Sequence, residues 1–146
     1  MRASSVLMIG FLFAIAGCGS NVAPVSGKVT LDDKPLVNAI VIFEPISELK
    51  NPGPGSQGKT DANGNFSLQL TTANTNGAII GKHVVRITAY DGDDGKVPSS
   101  NPGEAFFRKP LLGDKYNAKS ELKFDVAAGG STNADFKLES EKGKAK

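Results

Sequence analysis

From residue 25 onward the chain alternates apolar and polar side chains with a period of two, and turn residues break the alternation every few positions. That period puts successive side chains on opposite faces of an extended strand, so it selects half-buried β-strands; no helical period of useful length competes with it. Val25, Val29 and Leu31 alternate with Ser26, Lys28 and Thr30 and stop at Asp32-Asp33-Lys34-Pro35, a polar turn with proline where no ladder donor is needed. Val37, Ala39, Val41 and Phe43 share one face of a second run, with Ile40 and Ile42 on the other, the pattern of a central strand covered on both sides. After the Pro/Gly-rich stretch 45–58, Asn63-Gly64 supplies a pair that tolerates positive φ, and Phe66, Leu68 and Leu70 resume the alternation. Val85, Ile87 and Ala89 mark a further strand within 82–90. Leu122, Phe124 and Val126, then Ala134, Phe136 and Leu138, mark the last two. The expected fold is all-β: one antiparallel, Greek-key-type β-sandwich over residues 25–139.

The segment before it has another purpose. Arg2 precedes roughly 11 mostly apolar residues and then small ones, the layout of a signal peptide and about half of the ~20 residues a spanning helix needs. Ile15-Ala16-Gly17-Cys18 resembles a bacterial lipobox, in which the cysteine thiol receives a diacylglyceryl group and becomes the first residue of the mature chain. Residues 1–17 are then the signal peptide and 18–24 a lipidated N-terminus and short linker. Two or three acyl chains on Cys18 would hold the domain firmly, where a single chain binds only marginally. The linker from Gly19 to Pro24 reaches at most about 20 Å, so the domain should sit close to the bilayer. Gly19 stands where an aspartate would suggest inner-membrane retention, which tilts the expectation to the outer membrane.

Composition excludes several classes. The net charge of the whole chain is +2 and the two signs are interspersed, which is no footprint for nucleic acid. Cys18 is the only cysteine, so no disulfide can brace the domain; about 129 residues after cleavage suffice for a core without one. Lys142, Lys144 and Lys146 read as a solvated basic tail over 140–146.

Val25-Ser26-Gly27-Lys28-Val29-Thr30-Leu31, Lys34-Pro35-Leu36-Val37-Asn38-Ala39 and Phe43-Glu44-Pro45 follow one another at a familiar spacing. Thr60-Asp61-Ala62-Asn63-Gly64-Asn65-Phe66, Gly81-Lys82-His83-Val84-Val85-Arg86-Ile87 and Lys115-Tyr116-Asn117 complete the pattern. The chain resembles a carboxypeptidase regulatory-like domain, which implies a transthyretin-like sandwich of about seven strands. These motifs are turns and strand edges, and they specify fold better than function. The wider transthyretin-like group includes a hydroxyisourate hydrolase. That activity uses more than one histidine, an arginine and a C-terminal Tyr-Arg-Gly-Ser, whereas this chain has His83 alone and ends Glu139-Ser140-Glu141-Lys142-Gly143-Lys144-Ala145-Lys146. With one histidine and no nucleophile-base arrangement, an enzyme is not expected, and neither is a cofactor.

His83 shares strand parity with Val85 and Ile87 and is expected as a ring at the end of the core; a zinc site would need partners it lacks. Asp91, Asp93 and Asp94 cluster oxygen ligands, yet Gly95 and Pro102 fall where an EF-hand spacing fails, so a solvated loop is expected there. Lys28, Glu44 and Asn133 are the candidates for an intramolecular isopeptide of the collagen-adhesin B type, against which Lys28 faces solvent. The stretch 91–120 is the least periodic, and structureless connections beyond about 12–15 residues are uncommon. It holds Phe106, Phe107, Arg108, Leu111 and Leu112. Packed over an open end of the sandwich they form a lid; exposed, they form a partner-binding patch with Phe and Arg anchors. The function expected is a noncatalytic, lipid-anchored binding or structural module of the cell envelope with a protein or peptide partner. The alternative is a carbohydrate-binding module for envelope or extracellular glycan, which the lack of tryptophan and the presence of only Tyr90 and Tyr116 disfavour.

Overall fold

A computed structural model of the chain describes residues 21–46, 52–91 and 109–140. They form strands β1 (Val22–Ala23), β2 (Ser26–Leu31), β3 (Lys34–Pro35), β4 (Ile40–Pro45), β5 (Ser56–Lys59), β6 (Asn65–Ser67), β7 (Gln69–Leu70), β8 (Ala78–Ile79), β9 (Gly81–Thr88), β10 (Lys123–Val126) and β11 (Phe136–Leu138). A single 3-10 turn, Asp114–Tyr116, is the helical element among the described residues. One sheet has the order β10-β9-β4-β5-β7, a second has β11-β2-β3 with β6 also on β2, and β1 pairs with β8.

Local chemistry sets the strand ends. Asp32 and Asp33 take positive φ (48° and 65°) between the paired residues Leu31 and Lys34, the two-residue hairpin geometry that matches strand twist. Pro35 then lies on an edge strand. The run expected from Val37 starts instead at Ile40, because the buried Thr60 captures the preceding backbone. Its hydroxyl donates to the Leu36 carbonyl at 2.6 Å and accepts from the Ala39 N–H at 2.8 Å, while Asn38 turns to φ 58°. The run Phe66-Leu68-Leu70 is likewise divided. Ser67 pairs with Ser26 in one sheet and Gln69 with Gln57 in the other, so one alternating segment crosses between sheets at Leu68.

Among the described residues, all strand pairs are antiparallel except one. β11 runs parallel to β2, with Phe136 opposite Val29. The purely antiparallel expectation is corrected by the path of the chain. After β10 a turn at 127–130 brings Ser131 beside Val25, so both strands enter their sheet from the same end.

β4 is central in the five-stranded sheet, as its hydrophobicity predicts. Val41 and Phe43 are fully buried, but Ile40 and Ile42 are only half-buried, so the outer face is covered in part. The interior lies between the two larger sheets. Phe43 meets Phe124 at 5.5 Å between ring centres and His83 at 5.6 Å, both in its own sheet, and Phe136 of the other sheet edge-on at 6.1 Å. Phe66 stacks on Phe136 at 6.3 Å. Gly27 is where backbone crosses closest, since a Cβ there would lie 2.1 Å from the Ala134 carbonyl oxygen.

Strand β9 connects two ends of the body. At its start, the Ile80 N–H donates to the Asn21 carbonyl (2.8 Å), the Ile46 N–H to the Lys82 carbonyl (2.7 Å), and Val126 lies opposite Gly81. Beyond its other end, the Leu111 N–H donates to the Ala89 carbonyl at 2.9 Å and the Asp91 N–H to the Lys109 carbonyl at 2.8 Å. The hairpin at Asp32 and Ser140 lie at this second end. The Ser140 N–H donates to the Asp32 carboxylate at 3.0 Å, and Ser140 lines one hollow with Asp91, Lys109 and Leu111.

Truncating Phe43 to alanine should therefore lower unfolding free energy by about 3–5 kcal/mol, as for other buried rings, measured by urea titration. Gly27→Ala should cost at least about 1–3 kcal/mol in the same titration, because the obstacle is backbone and cannot rotate away.

Candidate functional site

The residues singled out in the sequence are not brought together at one place. Cys18, Asp93, Asp94, Phe106, Phe107 and Arg108 lie outside the described residues. What is described is the base from which residues 92–108 depart and to which they return. The Tyr90–Pro110 bridge and the Asp91 to Lys109 hydrogen bond close that base like the neck of a loop. Leu111 and Leu112 follow it and divide the two readings of the apolar cluster between them. Leu112 is buried and belongs to the core, which removes it from any contact surface, while Leu111 is 38% exposed. Successive residues here face opposite ways because Leu111 is tied by backbone to Ala89 at the edge of the sheet.

The remainder of the stretch is fastened to the outer face of β9. Tyr116 closes the 3-10 turn on Gly113, and its phenol oxygen accepts from the Glu139 N–H at 3.0 Å. Arg86, in the middle of β9, donates Nη1 to the carbonyls of Asn117 and Ala118 and Nε to Glu44 at 2.8 Å. Ser120 donates its hydroxyl to the Val85 carbonyl. One arginine thus fixes both a neighbouring strand and two successive loop carbonyls, which its rigid fork of donors suits. The Lys115 ammonium lies 4.8 Å from the centre of the half-buried Tyr116 ring. Tyr90 is exposed, so the two tyrosines do not form a bare pair of rings.

His83 is buried, as its strand parity predicts. Its Nδ1 lies 2.9 Å from the Gly81 carbonyl, which can only accept, so Nδ1 carries the proton and Nε2 is a bare acceptor. Nε2 is buried without a hydrogen-bond partner, as is the Ser56 hydroxyl. Burial holds the imidazole pKa below its ordinary 6.5, outweighing the Gly81 hydrogen bond and the Asp125 charge, which act the other way. No cluster of three or more His, Cys, Asp or Glu residues that could hold a metal occurs among the described residues.

The remaining candidates have local partners. Asp91 is exposed. Lys28 and Asn133 are exposed, and Glu44 is exposed and ion-paired to Arg86, so this acid is not the buried promoter an isopeptide needs. A polar groove lined by Lys59, Asp61, Asn65, Thr132 and Asp135 was not anticipated. Asp61 organises its turn by accepting from the N–H groups of Asn65 and Asn63, both at 2.8 Å. The Asn65 bond above all, with help from Asn63 and the Lys28 charge, holds its carboxyl below the usual 3.8 against an opposing desolvation.

The His83 environment fixes a pH dependence. The folded protein takes up a proton at this ring less readily than the unfolded chain, so its contribution is complete above pH 6.5 and is lost as pH falls toward the depressed folded pKa. Unfolding free energy should fall as pH drops below the ordinary imidazole value of 6.5, and His83→Phe should flatten that decline, measured by denaturant titration at each pH.

No protein-family model matches the chain, and no curated protein matches it. A 9R-lipoxygenase from Cyanothece PCC8801 aligns with 93% of this chain at 15% identity and a TM-score of 0.33. The chain spans 18% of the lipoxygenase's length.

Proposed function

We propose that the chain is a noncatalytic, lipid-anchored module of the cell envelope that engages a protein or peptide partner or serves a structural role there. Its two larger sheets make a β-sandwich of the carboxypeptidase regulatory-like, transthyretin-like type. The observation that carries the reading is the closeness of the lipobox-like cysteine to the folded body. Only Gly19, Ser20 and Asn21 separate Cys18 from β1, whose Ala23 is already buried. The apolar run before Cys18 is therefore followed at once by a folded unit, as in a tethered domain.

The ring contacts between Phe43 and Phe136 support the sandwich, since they join the two sheets through their inner faces. A noncatalytic role is supported by the seclusion of the sole histidine, whose ring is packed against Phe43 and is 1% exposed. The partner surface in this reading is the end of the body at Leu111, together with Phe106, Phe107 and Arg108 in the adjoining sequence.

Two measurements test it. Fatty-acid labelling and intact mass should show diacylglyceryl on Cys18, and Cys18→Ser should abolish the label and release the protein from membranes. Cross-linking in intact cells should capture a distinct partner with the wild type and lose it with Phe106→Ala, Phe107→Ala and Leu111→Ala combined, once that variant is shown to fold. Equal capture by both forms removes the partner surface from this stretch and makes glycan binding the next assay.

A further inference from the structure

The end of the body at which the chain arrives from Cys18 differs in chemistry from the opposite end. Ile46 is 46% and Ile80 37% exposed, two of the four large hydrophobic residues left open among the described residues; the other two, Tyr90 and Leu111, lie at the opposite end among its charges. The two isoleucines belong to one end of the fold, since Ile80, just before β9, is hydrogen-bonded to Asn21, and Ile46 to Lys82, two residues further along the chain. The exposed neighbours there include Pro24, Ala128 and Gly129, with the exposed Lys82 and, paired opposite it on β10, the exposed Asp125 as the charges among them. The far end is densely charged, with Asp32, Asp33, Lys34, Asp91, Lys109 and Glu139 all exposed.

The chain length between anchor and body decides which end faces the lipid. Gly19 and Ser20 are the residues between Cys18 and Asn21. At about 3.3–3.6 Å per residue the Asn21 Cα stays within roughly 11 Å of the Cys18 Cα. A cysteine whose acyl chains are buried thus holds Asn21, and the Ile80 bonded to it, against the headgroups. Tethering also makes the contact intramolecular, so a small apolar surface that would not bind lipid alone becomes occupied.

We propose, resting on the lipid-anchor reading above, that this end is a membrane-contact surface. Ile46 and Ile80 seat at the boundary of headgroups and acyl chains of the bilayer that carries Cys18, Lys82 meets headgroup phosphates, and β9 stands away from the membrane. Long cationic side chains suit such a boundary because the stem lies on apolar surface while the ammonium stays hydrated.

The chain has no tryptophan, so an introduced indole is the only one. Ile80→Trp, Ile46→Trp and Leu111→Trp forms of the full acylated protein are reconstituted into phosphatidylcholine and phosphatidylglycerol vesicles with brominated acyl chains. Intact mass establishes acylation and flotation establishes binding. Indoles at 80 and 46 should be blue-shifted and quenched several-fold more than the indole at 111. Equal quenching at the two ends, or stronger quenching at 111, in acylated and vesicle-bound protein overturns the orientation while the anchor stands. Absence of acyl groups on Cys18 overturns the anchor and this surface with it.

Discussion

Phe43 touches rings from both larger sheets, and the interior is arranged around it. With Cys18 the only cysteine, and placed ahead of the folded body, no disulfide within the chain can share the burden. Stability has to come from apolar burial and from closed hydrogen bonding, and both meet in this cluster. The tilted and edge-on ring geometries add to plain area burial, because the ring edge of one aromatic faces the electron-rich face of another. The same packing constrains His83. A neutral ring fits beside Phe43, but a charged one would be stranded with Nε2 unsolvated.

Around this interior the chain uses polar side chains to fix segments that carry few apolar contacts. Thr60 binds both Leu36 and Ala39 and so sets where β4 begins. Arg86 and Ser120 fasten the segment after Leu112 to the outer face of β9. Much of the stretch from 109 to 122 is therefore ordered by specific donors and acceptors. An aperiodic stretch of sequence can still be rigid when each turn has a defined partner.

This distinction explains what could be read from the sequence. Alternation located β2, β9, β10 and β11, because their inward residues are large and their outward ones mostly polar, and β4 by its continuous apolar run; it also placed His83 by parity. It missed β5, whose Ser56-Gln57-Gly58-Lys59 has no apolar residue, because that strand is held by backbone pairing with β4 and β7. It missed β1 and β8, which are two residues each and too short to show a period. It merged β6 with β7, because a crossing between sheets preserves alternation while changing partners. The parallel placement of β11 is a property of chain path, to which period is blind. At the candidate site, the opposite fates of Leu111 and Leu112 depend on one backbone bond to Ala89, and composition treats the two residues alike.

The two ends of β9 give the molecule a direction that neither sheet has alone. Its eight residues, at about 3.3 Å each, separate those ends by roughly 26 Å. Asn21 lies at one end; Ser140 and the neck of the 92–108 segment lie at the other. In the anchored arrangement proposed above, a tether at the first end would leave the second pointing away from the bilayer. The near end exposes Ile46 and Ile80 beside the charges of Lys82 and Asp125, while the far end exposes Tyr90 and Leu111 among a denser set of carboxylates and ammonium groups. The described residues nearest in sequence to the lipobox-like cysteine and to the apolar cluster before Pro110, Asn21 and Lys109, thus lie at opposite ends of a single strand. A partner met at the far end would not compete with the membrane for surface.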